Sequence, residues 1–128
     1  MNKILYVEDD EINAFIMRRY LDHWDVVLAR DAEAALELAQ QTHFPIVLLD
    51  INLGESKMTG TQAMKVLKNT PGYDKTTFVA VTAYAMPEDR ERFLDEGFDE
   101  YFSKPVNYEK LIEYIENLVD SSQLAVRS

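Results

Sequence analysis

The chain has no cysteine, so disulfides, thiolate metal sites and cysteine nucleophiles are excluded, a composition that suits the cytoplasm. No apolar run approaches the ~18 residues of a membrane span, and Met1-Asn2-Lys3 leads directly into a strand-like run with no signal-peptide pattern. Positive charge is scarce: 13 Lys and Arg stand against 23 Asp and Glu, a formal net charge of −10. Such a surface repels nucleic acid and anionic lipid, and no basic stretch longer than Arg18-Arg19 offsets it, so neither direct nucleic-acid binding nor a membrane partner is expected. The two histidines, His23 and His43, have no partner at metal-ligand spacing and read as structural or solvent-exposed. Repeats, linkers and low-complexity segments are also missing. One domain over residues 1–120 with a short tail at 121–128 is the expectation, with no effector domain in the chain.

Five short apolar runs alternate with amphipathic segments, which argues a doubly wound α/β domain with a parallel sheet. The runs are Ile4-Leu5-Tyr6-Val7, Val26-Val27-Leu28-Ala29, Ile46-Val47-Leu48-Leu49, Phe78-Val79-Ala80-Val81 and Tyr101-Phe102. A first helix is expected from about Glu11 to His23, on the helical spacing of Ile12, Phe15, Ile16 and Tyr20. Asp31 suits the N-cap of a second helix that turns Ala32, Ala35, Leu36 and Ala39 inward. Thr59-Gly60-Thr61-Gln62 fits a capping box opening a third helix through about Lys68, and Pro71-Gly72 marks the turn that follows. Pro87, Glu88 and Asp89 suit the first turn of a fourth helix, closed by Gly97 in a left-handed cap. Asn107 suits the cap of a last helix carrying Leu111, Ile112, Ile115, Leu118 and Val119 as its apolar stripe.

Glu8, Asp9, Asp50, Thr82 and Lys104 each fall just past one of these runs. In open α/β sheets ligands bind in the crevice beyond the carboxyl ends of the strands, so five scattered residues describe one pocket. A carboxylate attacks a phosphoryl group only when the repulsion between anions is cancelled, which calls for a divalent metal, oxygen ligands and a cation on the phosphoryl oxygens. Magnesium takes oxygen ligands and only one or two carboxylates, matching Asp9 and Asp50 as direct ligands and Glu8 as a nearby or water-bridged helper. Asp50 would also be the nucleophile, with Lys104 and the Thr82 hydroxyl on the phosphoryl oxygens. Taken singly each residue has a bland reading: Glu8 to Glu11 an acidic helix start, Thr82 a strand-end hydroxyl, Lys104 a surface cation. The joint arrangement carries the site, together with the cost of placing Asp50 behind four apolar residues without a task.

These residues resemble the response regulator receiver domain of bacterial two-component signalling, in particular its single-domain chemotaxis type. The resemblance covers residues 3 to 120 and rests on Ile4-Leu5-Tyr6-Val7-Glu8-Asp9-Asp10, Val47-Leu48-Leu49-Asp50-Ile51-Asn52-Leu53, Val81-Thr82-Ala83 and Ser103-Lys104-Pro105. It implies a flavodoxin-like sheet of order 2-1-3-4-5 and a cis peptide between Lys104 and Pro105. Asp50 becomes the phosphoacceptor, Glu8 and Asp9 the acidic pair, Asn52 the donor of a backbone carbonyl to Mg2+, and Thr82 and Lys104 the phosphate contacts. Tyr101 becomes the aromatic that follows Thr82 inward on phosphorylation, altering the face of helix four, strand five and helix five. The implied partners are a histidine kinase or histidine phosphotransfer protein, docking near Ile12, Ile16, Pro105 and Val106, and a separate downstream effector. The implied state is a monomer or a phosphorylation-dependent homodimer. Asn52 and Tyr84 take positions that in the family tune the phosphate lifetime. The segment 53–60 departs from the common pattern: it is longer by about two residues and has no proline.

Three other readings compete with the switch. A haloacid-dehalogenase-type phosphohydrolase also uses a strand-end aspartate, but needs a second aspartate where Asn52 stands and a cap region for its substrate. A flavin-binding module of this fold needs a phosphate-cradling loop where Glu8-Asp9-Asp10 would repel the phosphate. A phosphate-independent interaction or dimerisation module would have no use for the five site residues. Tyr101 has a packing role beside the switch role, and Trp24 reads as packing.

Overall fold

The computed structural model describes residues 3–54, 58–83 and 86–127, with side chains as far as 119. Tyr84 and residues 55–57 of the longer segment 53–60 lie outside the described residues. The strands are β1 (Lys3–Val7), β2 (Asp25–Ala29), β3 (Ile46–Asp50), β4 (Thr77–Thr82) and β5 (Glu100–Ser103). The helices are α1 (Glu11–Tyr20), α2 (Ala32–Gln41), α3 (Gly60–Lys68), α4 (Pro87–Glu96) and α5 (Tyr108–Arg127). All four strand pairings are parallel, in the order β2-β1-β3-β4-β5. This is the doubly wound architecture expected from the alternation of runs and the strand order that the resemblance implied.

Alternation along the strands divides the interior into two cores. Leu5, Val7, Val47, Leu49, Phe78 and Ala80 face α2, α3 and α4 through Ala32, Ala35, Ala63, Met64, Leu67 and Phe93. Ile4, Tyr6, Ile46, Leu48, Val79 and Val81 face α1 and α5 through Met17, Leu21, Leu111 and Ile115. Because both faces are covered, β3 is buried at all five positions and reads as an unbroken apolar run up to its final carboxylate. The register pairs Val7 with Leu49, Asp50 with Val81 and Thr82 with Ser103, so β1, β3, β4 and β5 finish along one edge.

The caps follow the sequence closely. Asp31 accepts from the Ala34 amide at 2.8 Å, and Asp10, not foreseen as a cap, accepts from the Ile12 and Asn13 amides. The capping box forms at both ends, Thr59 N–H to Gln62 Oε1 at 3.0 Å and Gln62 N–H to Thr59 Oγ1 at 3.1 Å. Pro87 opens α4, Gly97 closes it at φ 125°, and Asn107 accepts from the Lys110 amide at 3.2 Å.

Three details differ from the sequence reading. The helix α1 buries Ala14 and Met17, and Ile12, Phe15 and Tyr20 are 70%, 62% and 52% exposed. Both sets of residues recur at helical spacing, and periodicity alone does not say which stripe meets the sheet; the small Ala14 lets the helix approach closely, while Tyr20 stacks on Tyr108 of α5 at 4.0 Å. The same helix ends at Tyr20, three residues before His23, with Leu21 as its buried C-cap. Finally, α5 continues through Arg127, so the backbone of 121–127 is helical where a tail was expected.

Candidate functional site

Past the ends of β1, β3, β4 and β5 lies an open cleft of about 490 Å³, lined by Glu8, Asp9, Asp10, Asn13, Asp50, Asn52, Gly54, Thr82, Ala83 and Lys104. Each of the five strand-end residues singled out in the sequence is in it, as is Asn52. Glu8 follows β1 and is 3% exposed, Asp50 ends β3 at 5% and Thr82 ends β4 at 1%. Lys104 follows β5, before the cis peptide to Pro105, and its amide donates to the Thr82 carbonyl at 2.7 Å.

The centre of the cleft is an ion-pair cluster. Lys104 Nζ donates to Glu8 Oε1 and to Asp50 Oδ2, both at 2.9 Å. Glu8, Asp9 and Asp50 each offer an oxygen within 4.8 Å of the others. Three carboxylates against one ammonium leave a formal excess of two negative charges in a small, half-closed space. Two charges of excess, on oxygen donors alone, suit a hard divalent cation such as Mg2+. Burial alone would lower the Lys104 pKa, but the hydrogen bonds and charges of Asp50 and Glu8 outweigh it and the net direction is up. Lys104 is therefore an ammonium at neutral pH. The lysine's share of these ion pairs is thus kept through neutral pH and is lost as pH rises through its raised value.

Both oxygens of the Asp50 carboxylate are engaged: Oδ1 accepts from the Asn52 amide at 3.1 Å while Oδ2 holds Lys104. Gly54 N–H donates to Asn52 Oδ1 at 3.2 Å, which folds the loop after β3 back over the cleft. Gly54 sits at φ 61°, and a Cβ there would collide with Asp9 Oδ2. The glycine standing early in the proline-free loop is thus what lets Asp9 lie against the backbone.

Several cleft residues escaped the sequence reading. Tyr6 donates its hydroxyl to Glu8 Oε1 at 2.8 Å from inside the core. Burial first, then the Glu8 charge and hydrogen bond, push its pKa far upward, so it stays a phenol and a donor. Alternation in β1 held the signal, since residues two apart share a face. Asn13 stands in the first turn of α1, its amide donating to Asp10 Oδ1 at 3.1 Å. Asp10 is the α1 N-cap as well as a wall of the cleft. For Gly54 no sequence signal existed.

Tyr101 is not at the cleft. It is half-buried on the other face of the sheet, stacked on Phe93 of α4 at 5.7 Å and 19°. Nearby, Arg90 pairs with Glu100 at 2.9 Å and Arg92 with Asp89 at 3.3 Å. Of the rim residues, Ile12 and Pro105 are exposed, while Ile16 and Val106 are half-buried. Both histidines are exposed and away from the cleft, His43 touching the Gly72 carbonyl at 2.9 Å. Trp24 packs against the α1/α5 core.

The model of the response regulator receiver domain matches residues 4–116. The chain belongs to this family. Receivers are phosphorylation-dependent signalling domains of two-component systems, distinct from conventional enzymes. The polar-differentiation response regulators DivK of Brucella ovis and Brucella abortus are 33% identical over 116 residues, spanning 89% of this chain and 93% of theirs. Among solved structures, a CheY-like receiver from Methanospirillum hungatei is 28% identical, covers 98% of both chains and superposes with a TM-score of 0.83. The receiver of the sensor histidine kinase PA1611 from Pseudomonas aeruginosa is 25% identical, with 91% of this chain and 95% of that one covered and a TM-score of 0.80. That receiver holds a magnesium ion in its active-site cleft. Among the described residues of the present receiver, no helix is long and apolar enough to cross a membrane.

Proposed function

We propose that this receiver, spanning residues 1–120, is a cytoplasmic switch phosphorylated on Asp50 by a histidine kinase or a histidine phosphotransfer protein. The observation that carries the reading is the Lys104 ammonium bridging Glu8 and Asp50 beside the third carboxylate of Asp9. An Asp50 oxygen forms the new P–O bond as the P–N bond to the donor imidazole breaks, and the released imidazole keeps the electron pair and takes up a proton. Asp9, Asp50 and the Asn52 carbonyl would hold Mg2+, with Glu8 alongside; when bound, the metal offsets the repulsion between carboxylate and phosphoryl group. Lys104 pairs with one phosphoryl oxygen and the Thr82 hydroxyl with another.

The response is read at α4, β5 and α5. Thr82 and Lys104 are joined through the backbone, and Tyr101 lies on the same strand as Lys104's approach, packed on α4. A phosphoryl group that draws in the Thr82 hydroxyl changes the space open to Tyr101, and with it the surface offered to a separate effector or to a second copy of the chain.

The test is intact mass under cold, mild conditions after incubation with acetyl phosphate, with Mg2+ or with EDTA. The expected result is one adduct of ~80 Da that requires Mg2+. An adduct that forms equally in EDTA would overturn the metal's part, and no adduct even at the shortest times would overturn the phosphoacceptor reading. A second expectation concerns the loop: Gly54→Ala drives a methyl group into the Asp9 carboxylate and should weaken Mg2+ binding about tenfold while costing ~1 kcal/mol in the backbone. Calorimetric Mg2+ titration checks it, and unchanged affinity would count against Asp9 as a ligand.

A further inference from the structure

The division of labour among the three carboxylates has a determinant inside the core. Tyr6 lies on β1 in the α1/α5 core, and Glu8, two residues on and just past the end of the strand, is within reach of its hydroxyl. The Tyr6 hydroxyl donates to Glu8 Oε1 at 2.8 Å, and Lys104 Nζ donates to the same oxygen at 2.9 Å. Glu8 Oε2 accepts from the Asp10 amide at 3.2 Å. A carboxylate presents about four lone-pair directions, and three of them are occupied by these donors. Glu8 is thereby held toward the lysine and the protein interior, with one lone-pair direction, on Oε2, left to offer a cation.

We infer that Tyr6 is a positioning residue: its hydroxyl locks Glu8 as the anchor of Lys104 and keeps that carboxylate out of the direct ligand set of the metal. The inference rests on the phosphoacceptor reading of the cleft. It gives a buried phenol in an otherwise apolar strand a task that phenylalanine would not perform. When Asp50 carries a phosphoryl group, Lys104 transfers one of its contacts to a phosphoryl oxygen and pivots on the other, Glu8. A pivot serves only if it is fixed, and Tyr6 fixes it. Without the hydroxyl, Oε1 is held by Lys104 alone, and the Glu8 carboxylate, beside Asp9 and Asp50, is free to turn toward the cation.

The decisive experiment compares the native chain, Tyr6→Phe, Glu8→Ala and the double variant. Mg2+ affinity is measured by calorimetry, and the initial rate of phosphorylation by acetyl phosphate at saturating Mg2+ by intact mass. Phenylalanine fills the same space, and a thermal melt confirms the fold. Tyr6→Phe should tighten Mg2+ binding by roughly threefold to tenfold and slow phosphorylation by about tenfold. Effects of opposite sign separate positioning from damage, which would weaken both. In the Glu8→Ala background the effects of Tyr6→Phe should vanish. Unchanged or weaker Mg2+ binding in Tyr6→Phe, or effects that persist without Glu8, would overturn the inference. If the native chain takes up no phosphoryl group, the phosphoacceptor reading fails while the Mg2+ titrations still decide the role of Tyr6.

Discussion

Asp50→Asn is expected to take up no phosphoryl group from acetyl phosphate at any Mg2+ concentration, with a melting temperature no lower than that of the native chain. The amide is close in shape to the carboxylate and still accepts from the Asn52 amide, so packing at the end of β3 is kept. What goes is the anionic nucleophile and one of the two carboxylates paired with Lys104. Lys104 retains Glu8, which is almost fully buried, so the ammonium is not left alone. The cluster loses one of three negative charges, which relieves repulsion in the folded state and weakens its hold on a divalent cation. Intact mass reads the first effect and Mg2+ calorimetry the second. Phosphorylation of Asp50→Asn at the native rate would move the acceptor to another carboxylate of the cleft, Asp9 first.

Gly60→Ala is expected to be the most damaging single methyl group in the chain. Gly60 begins α3 with its amide donating to the Ile51 carbonyl at 2.9 Å. A Cβ at this position would overlap the Asp50 carbonyl oxygen and come within 2.8 Å of Ile51 Cα and 2.9 Å of the Asp50 carbonyl carbon. All of these are backbone atoms of the strand end, and none can rotate aside. Overpacking of this kind costs about 3 kcal/mol, a large share of the net stability of a small domain, and lowers Tm by roughly 10 °C. The displaced segment carries Asp50, the proposed phosphoacceptor, so the phosphorylation rate should fall as well. A thermal melt within about 2 °C of the native one would show that α3 can shift as a unit at little cost.

The sheet and the cleft were legible in the sequence for one physical reason. Parallel strands covered on both faces must be apolar throughout, so the polar residue that ends each run is conspicuous, and the topology gathers those ends on one edge. Asp50 after Leu49 and Thr82 after Val81 are of this kind. The face of α1 was not legible, because Ile12, Phe15 and Ile16 repeat as regularly as Ala14, Met17 and Leu21, and only contact with the sheet separates them. The hydroxyl of Tyr6 was hidden within an apolar run whose packing it shares. The place of Gly54 depends on a backbone turned back toward Asp9, a contact between chain segments that no local pattern encodes.

The hold on α4 has a thermodynamic corollary. Phe93 is its one buried apolar residue, lying between Tyr101 and Phe98, and the exposed Arg90 ties the helix to Glu100 of β5 by an ion pair, whereas Arg92 pairs with Asp89 inside the helix itself. Burying a single phenylalanine contributes about 1.5–3 kcal/mol, and pairs at the surface add less than ~1 kcal/mol each and are screened by salt. A tenfold shift in population corresponds to ~1.4 kcal/mol. The docking of α4 thus rests on less buried apolar surface than that of α3, with Ala63, Met64 and Leu67 fully buried, and a switch acting through Tyr101, as proposed, would shift α4 before α3.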